Sequence, residues 1–200
     1  MRDPRVGRDI LMGAIAGGSL ALLSHVVNAL PTWFAFQGQT TIPLPLSLDT
    51  RDLHIIGANP LDYLVTVHIP AVGMAFVPIS LYFVFRLALR NPALAATALL
   101  VMETLLNLGG ENRWLELPQA ILTAAVIVWM VTRFGLLATI SMRYFDLLLT
   151  SIPPSFDFAE WYAAFSMPGL ILLLLLAGYA FRISIGEQRI LGSALLEEEA

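Results

Sequence analysis

The chain has 200 residues, of which 58% are hydrophobic and 13% are charged, and its formal net charge is −4. Because soluble domains carry about 25% charged residues, this composition predicts a chain that lies largely within a lipid bilayer. The absence of Cys excludes disulfides, thiol nucleophiles and Cys-ligated zinc, and the absence of Lys excludes Schiff-base chemistry and lysine-dependent phosphate motifs. The sequence contains no basic patch with interleaved aromatic residues, so nucleic-acid binding has no support.

The first apolar run covers about residues 10–30 and follows a short basic segment. A secretory signal peptide begins in the same way, but here Pro31 closely follows the candidate cleavage site, and Asp3 and Asp9 dilute the positive charge. The run also has the length of about 20 residues that a membrane span needs. We therefore predict a first membrane helix that is retained and that ends before Pro31.

Small residues recur at four-residue spacing in this first helix. Gly13 and Gly17 form one pair, and Ala14 and Gly18 form another. Small residues at this spacing allow a second helix to approach closely, although Gly and Ala are also common in membrane helices generally. The pattern predicts close packing of this helix against a neighbour.

Five further apolar runs follow, and the last is the clearest, because residues 161–181 contain no charged side chain. Residues 118–149 as one helix would measure about 48 Å, too long for a hydrocarbon core of about 30 Å. We therefore divide them at Arg133-Phe134-Gly135. The sequence predicts an all-α, polytopic transmembrane bundle that forms a single domain. Its six helices cover about residues 10–30, 61–89, 93–108, 118–132, 134–149 and 160–181, with an interfacial loop at 32–59.

The distribution of arginine predicts the orientation of these helices, because basic residues concentrate on the cytoplasmic side. With both termini in the cytoplasm, only Arg51 and Arg113 fall on the outer side, and Arg143 lies within a helix. A five-helix alternative with residues 118–142 as one span distributes the arginines less well. The prediction is a multi-pass protein of the bacterial inner membrane.

Ionisable and amide side chains within the apolar runs are candidate functional residues, because they are costly at membrane depth. Glu103 and Asn107 share one helical face, and so do Arg143 and Asp146. Each pair is either part of an ion or proton pathway or a structural hydrogen-bonding pair, and the structural interpretation is favoured. The complete candidate polar site is His25, Asn28, His68, Glu103, Asn107, Arg143 and Asp146.

The sequence predicts no catalytic, cofactor or metal site. A metal site would need His25, His68 and Glu103 to converge from three helices, and no closely spaced ligand motif such as His-Glu-x-x-His is present. No serine lies in a Gly-x-Ser-x-Gly sequence, so a serine hydrolase is not supported either.

Several stretches resemble the C-terminal multi-spanning membrane region of acidobacterial-type bacterial membrane serine/threonine kinases. They are Arg2-Asp-Pro-Arg-Val-Gly-Arg-Asp9, Arg113-Trp-Leu-Glu-Leu-Pro118, Arg133-Phe-Gly-Leu-Leu-Ala138, Asp157-Phe-Ala-Glu-Trp-Tyr-Ala163 and Gly178-Tyr-Ala-Phe-Arg-Ile-Ser-Ile-Gly186. The kinase motifs themselves are absent, and their lysine cannot occur in a chain without Lys. The resemblance implies a membrane module associated with a kinase, and it transfers no catalytic residue.

Three functional hypotheses follow. The first is a non-enzymatic membrane module that serves as anchor or sensor for a signalling kinase, with the lipid bilayer and a kinase domain or other membrane helices as partners, and with an oligomer left open. The second is a small transporter or channel subunit that uses Glu103, Asn107 and His68. The third is an intramembrane enzyme. A transporter predicts polar residues along a wet cavity, whereas a packing role predicts paired residues in a dry bundle.

Overall fold

The structure, a computed structural model, describes residues 3–33, 60–108, 113–151 and 163–185. These ranges are entirely helical apart from short turns and contain no strand. The helices are α1 (Pro4–Trp33), α2 (Pro60–Leu89), α3 (Pro92–Leu106), α4 (Arg113–Arg133), α5 (Leu136–Ser151) and α6 (Ala163–Ile185). The all-helical prediction is confirmed for the described residues, whereas the interfacial loop lies almost entirely outside them.

Several predicted helix boundaries are wrong. Helix α1 begins at Pro4 instead of about residue 10, α6 ends at Ile185 instead of about residue 181, and proline accounts for two other errors. Helix α1 continues to Trp33 instead of ending before Pro31, and α4 begins at Arg113 rather than at Pro118. A proline near a helix end removes one backbone hydrogen bond but does not have to end the helix. Helix α2 likewise contains Pro70 and Pro78, as the sequence predicts.

The turn between α4 and α5 lies where the sequence predicts it. Helix α4 ends at Arg133, and the amides of Phe134 and Gly135 both donate to the carbonyl oxygen of Met130, each at 3.0 Å. Gly135 has a φ of +83°, in the left-handed region where a residue without a Cβ is favoured. The chain therefore reverses direction here within two residues.

We expect opposite effects from the same Gly→Ala change at two open positions. A Cβ at Gly135 or at Gly73 in α2 would meet nothing within 4 Å, so only the backbone conformation differs. Gly135→Ala should lower the free energy of unfolding by about 1 kcal/mol because of its positive φ. Gly73→Ala should raise it by about 0.5–1 kcal/mol because alanine favours a helix. Titration with a denaturing detergent measures both, and two effects of the same sign would contradict the assignment.

Contacts of α1 fix the directions of α4 and α6. At its start, a Cβ on Gly7 would lie 2.5 Å from the backbone nitrogen of Ser184, near the end of α6. Towards its end, the Ser24 hydroxyl accepts a hydrogen bond of 3.2 Å from the amide of Gln119, in the first part of α4. Both α4 and α6 therefore run antiparallel to α1.

The remaining helices complete an alternating arrangement. His25, late in α1, lies 3.2 Å from the carbonyl oxygen of Leu149, late in α5, so these two helices run parallel. Ala71, in the first half of α2, belongs to the same buried cluster as Leu148, and α2 therefore runs antiparallel to α5. Helix α3 reverses direction after the short turn that follows α2. Successive helices thus run up and down in turn.

This alternation collects most of the arginines at one end of the bundle, which we call the arginine end. It is the end where α1, α3 and α5 begin and where α2, α4 and α6 finish. Its arginines are Arg5, Arg8, Arg86, Arg90, Arg133 and Arg182. In the described ranges, only Arg113 lies at the opposite end.

Helix α5 is the core of the bundle, because every residue from 138 to 150 is buried or half-buried. Helix α1 packs most extensively against it, and α2 packs against it next. A Cβ at Gly13 would lie 2.6 Å from the carbonyl oxygen of Ala138, and one at Gly17 would collide with the carbonyl oxygen of Met142. The close helix approach predicted for Gly13 and Gly17 is therefore confirmed. A Cβ at Gly18 would make only an ordinary van der Waals contact, 3.9 Å from Cδ1 of Leu149.

The outer faces of α2, α3 and α6 are strongly apolar. Phe83 is 68% exposed, Leu87 is 72% exposed and Leu174 is 72% exposed, and many other large hydrophobic side chains share this exposure. Residues Pro4–Val27 of α1 and Ile69–Leu89 of α2 are long and apolar enough to cross a membrane. Pro92–Leu106 and Leu170–Ser184 are shorter apolar helices.

Candidate functional site

Helix α3 places one carboxylate on its buried face. Ala95, Leu99 and Glu103 follow one another at four-residue intervals, so they lie on the same face, and all three are buried. Glu103 is only 3% exposed. An isolated ionised carboxylate at such a position would be costly, and a positive charge nearby stabilises the ionised form.

That charge comes from Arg143 in the middle of α5. Its guanidinium nitrogens lie 3.7 Å from a carboxylate oxygen of Glu103 and 3.8 Å from a carboxylate oxygen of Asp146. Only 12% of the Arg143 side chain is exposed, and only 17% of that of Asp146. We call these three residues the charged cluster. Residues 138–150 of α5 are all buried or half-buried, so Arg143 and Asp146 are largely shielded from solvent. The pairing of opposite charges allows an otherwise apolar bundle to retain these three ionisable groups.

The charged cluster is compact but incompletely hydrogen-bonded. Both ion-pair distances exceed the range of about 2.7–3.2 Å for a good N–H···O hydrogen bond. Within the described residues, Oε1 of Glu103 and Nε of Arg143 are buried and accept or donate no hydrogen bond. One cation thus faces two carboxylates in a site with spare hydrogen-bonding capacity.

The Glu103–Arg143 pair joins two helices that share little other contact. In the described part of the bundle, α3 packs against α2 and α4, whereas α5 packs mainly against α1 and α2. The long arginine side chain bridges the distance that remains between α3 and α5. The pair is therefore a direct connection between α3 and the core helix α5.

Asn107 does not belong to the charged cluster, although it shares a helical face with Glu103. Its side-chain amide donates a hydrogen bond of 2.7 Å to the backbone carbonyl of Glu103, not to the carboxylate. Asn107 also forms the C-terminal cap of α3, with its backbone amide bonded to the same carbonyl. Its role in the structure is to end the helix.

The histidines and Asn28 are likewise not brought into the charged cluster by any described contact. The Nε2 atom of His25 lies 3.2 Å from the carbonyl oxygen of Leu149, and because a carbonyl only accepts, this contact requires a proton on Nε2. A Cβ at Gly17 would lie 2.9 Å from the backbone nitrogen of Asp146, and His25 lies eight residues beyond Gly17, about 12 Å further along α1. The side chains of Asn28 and His68 lie outside those that the structure describes.

Two further contacts of polar side chains went unpredicted. One is the Gln119–Ser24 hydrogen bond between α4 and α1. The other is at the arginine end, where the guanidinium of Arg8 lies 5.9 Å from the centre of the Phe134 ring and its nitrogen 3.0 Å from Asp9. In both, the partners on different segments are far apart in sequence, and no sequence pattern indicates that they meet.

The described residues contain no group of three or more His, Asp or Glu side chains arranged to hold a metal ion. The charged cluster has no nucleophile paired with a base. Its chemistry is therefore that of charge pairing. Comparisons of the chain with protein-family models, with curated proteins and with solved structures find no match. The resemblance to kinase-associated membrane regions stays a prediction.

Proposed function

We propose that this chain is a non-enzymatic, multi-pass module of the bacterial inner membrane, with six membrane helices and both termini in the cytoplasm. Two observations support this architecture: the alternating helix directions, and the six described arginines at one end against one at the other. Basic residues favour the cytoplasmic side of a membrane. The exposed apolar faces of α2, α3 and α6 match a lipid environment better than water.

The short helix α5 is compatible with this proposal. Helix α5 has 16 residues and measures about 24 Å, less than a hydrocarbon core of about 30 Å. Because its residues from 138 to 150 are buried or half-buried in protein, its length does not have to match the bilayer. The same burial supports a retained α1, since the glycine face of α1 covers α5 directly.

The observation that carries the functional proposal is the pairing of the charged cluster in a closed core. Glu103 and Arg143 are directed at each other, and neither lines the 440 Å³ apolar cavity that lies on the outside of α2 and α3. A transport pathway would place such residues along a polar cavity. The geometry favours a structural role, and the transporter hypothesis is the second candidate because the cluster has unpartnered buried atoms.

Ion flux into proteoliposomes separates these two candidates. A structural module should conduct no more H⁺, Na⁺ or K⁺ than protein-free vesicles, and Glu103→Gln should change nothing because the amide keeps the shape of the side chain. The protein with Arg182→Gln, an exposed change on α6, serves as the matched control. A flux that Glu103→Gln abolishes and Arg182→Gln preserves would establish a transporter.

We further propose that the module is the anchor or sensor region of a signalling kinase, which rests on the sequence resemblance alone. In this role the arginine end would face the kinase domain, since that end is assigned to the cytoplasm. Sequencing of the full-length transcript and of the neighbouring coding sequences tests the proposal. A kinase domain joined to this chain or encoded beside it is expected, and an unrelated genomic context would contradict it.

A further inference from the structure

An apolar groove runs along the outside of the bundle between the last turns of α2 and most of α3. We call it the α2–α3 groove, and its volume is about 440 Å³. Phe85 and Leu89 line it from α2, and Leu94, Ala98 and Leu105 are among the residues that line it from α3. Its lining residue Thr97 donates its hydroxyl proton to the carbonyl of Ala93, so the groove offers little hydrogen bonding to an occupant.

The groove has the length of one membrane leaflet. Leu94 and Leu105 are eleven residues apart on a continuous helix, and therefore about 16 Å apart along its axis. Half of a hydrocarbon core of about 30 Å is nearly the same distance. The groove starts at the arginine end and follows α3 almost to its last residue, Leu106, a length that one acyl chain can occupy.

Two cations follow the groove-lining residues of α2 directly in sequence, at the arginine end of the groove. Arg86 lies one residue after the lining residue Phe85, and Arg90 directly follows Leu89. Both are exposed, and within the described residues neither forms an ion pair. The chain contains no Asp or Glu from residue 63 to residue 102, so no acidic side chain of α2 or α3 near the groove mouth neutralises them.

We propose that the α2–α3 groove binds an anionic phospholipid, with one acyl chain in the groove and the phosphate held by Arg86 and Arg90. The inference rests on the proposed membrane location and goes beyond it by naming a lipid class and a site. Unpaired basic side chains at the cytoplasmic face of a membrane helix pair attract anionic headgroups. Arginine also forms charge-assisted, bidentate hydrogen bonds with phosphate.

Native mass spectrometry of the purified protein in a neutral detergent tests the site, with phosphatidylglycerol and phosphatidylcholine of identical acyl chains as probes. We expect selective retention of phosphatidylglycerol. The double variant Arg86→Gln/Arg90→Gln should weaken its binding by about 25-fold, at about fivefold for each arginine. Arg182→Gln removes an exposed arginine from the same end but from α6, and it should leave binding unchanged.

A second variant tests the acyl-chain part. Ala98→Phe fills the groove and should weaken the binding of phosphatidylglycerol, whereas Ala93→Phe, at an exposed position of α3 outside the lining, should not. Inorganic phosphate should compete poorly because it has no acyl chain. Because Arg86 and Arg90 are exposed, the double arginine variant should fold normally, and it tests the site even if Ala98→Phe does not fold.

Equal retention of the two lipids, or equal loss with Arg182→Gln, would overturn the proposed site. Competition by inorganic phosphate as strong as that by the lipid would overturn the acyl-chain part. A dimer that Ala98→Phe abolishes would instead make a second copy of the chain the occupant. A protein that does not fractionate with membranes would refute the proposed function itself, which is a separate result from a membrane protein without lipid preference.

Discussion

Gly17→Ala is expected to lower the free energy of unfolding by about 3 kcal/mol, the upper part of the range for overpacking a tight interior. A Cβ at Gly17 would collide with the carbonyl oxygen of Met142 and would lie 2.9 Å from both the amide nitrogen of Asp146 and the Cβ of Phe145. Two of these atoms belong to the backbone, so they cannot rotate away. Helices α1 and α5 would have to separate along their most extensive contact.

Gly18→Ala is the matched control for this change. It introduces the same methyl group one residue further along α1, where the nearest atom is Cδ1 of Leu149 at 3.9 Å. We expect a neutral or slightly stabilising effect, since alanine favours a helix more than glycine does. Unfolding by titration with a denaturing detergent measures both variants. Similar losses in both would show that the glycine face is not what limits the approach of α5.

Arg143→Leu is expected to cost about 3–5 kcal/mol, because it removes the only cation beside two buried carboxylates. Arg143 lies 3.7 Å from Glu103 and 3.8 Å from Asp146, and Glu103 is almost completely enclosed. Once the guanidinium is lost, Glu103 and Asp146 have no opposite charge within ion-pair distance in the described residues. The comparison variant is Arg182→Leu at an exposed position, which should leave the free energy of unfolding nearly unchanged.

The triple variant Glu103→Leu/Arg143→Leu/Asp146→Leu should recover most of this loss. Replacement of a whole buried ionic group by apolar side chains is often neutral or stabilising, because the desolvation of the charges is removed with them. A triple variant less stable than Arg143→Leu alone would show that the charged cluster itself stabilises the bundle. Recovery would indicate that the cluster sets the register of α3 against α5 and contributes little net stability.

Patterns within one segment predicted the local features of this fold correctly. The turn at Arg133-Phe134-Gly135 was predictable because a charge and a glycine interrupt an apolar run that is too long for one helix. The close approach of α1 was predictable because Gly13 and Gly17 leave one face without side chains.

Features that depend on several segments were not predictable from the same patterns. Spacing along α3 associates Glu103 with Asn107, yet the partner of its carboxylate is Arg143, 40 residues away in sequence. Spacing within α5 correctly associates Arg143 with Asp146, but it does not show that the guanidinium also reaches α3. The α2–α3 groove is lined by residues of two helices, and nothing in either helix alone indicates it. The end of α1 and the start of α4 differ from the prediction because Pro31 and Pro118 lie within these helices and do not mark their boundaries.

Thiol labelling of single-cysteine variants in intact cells tests the proposed six-span topology most directly, because the chain has no Cys of its own. Position Ala93 lies in the first turn of α3 and Gly110 follows the end of that helix, while positions Ser155 and Gly186 precede and follow α6. A membrane-impermeant reagent applied from outside should label Gly110→Cys and Ser155→Cys, and it should reach Ala93→Cys and Gly186→Cys only after the cells are opened. Labelling of both members of either pair from the same side would show that the intervening helix does not cross the membrane, and would contradict the six-span bundle.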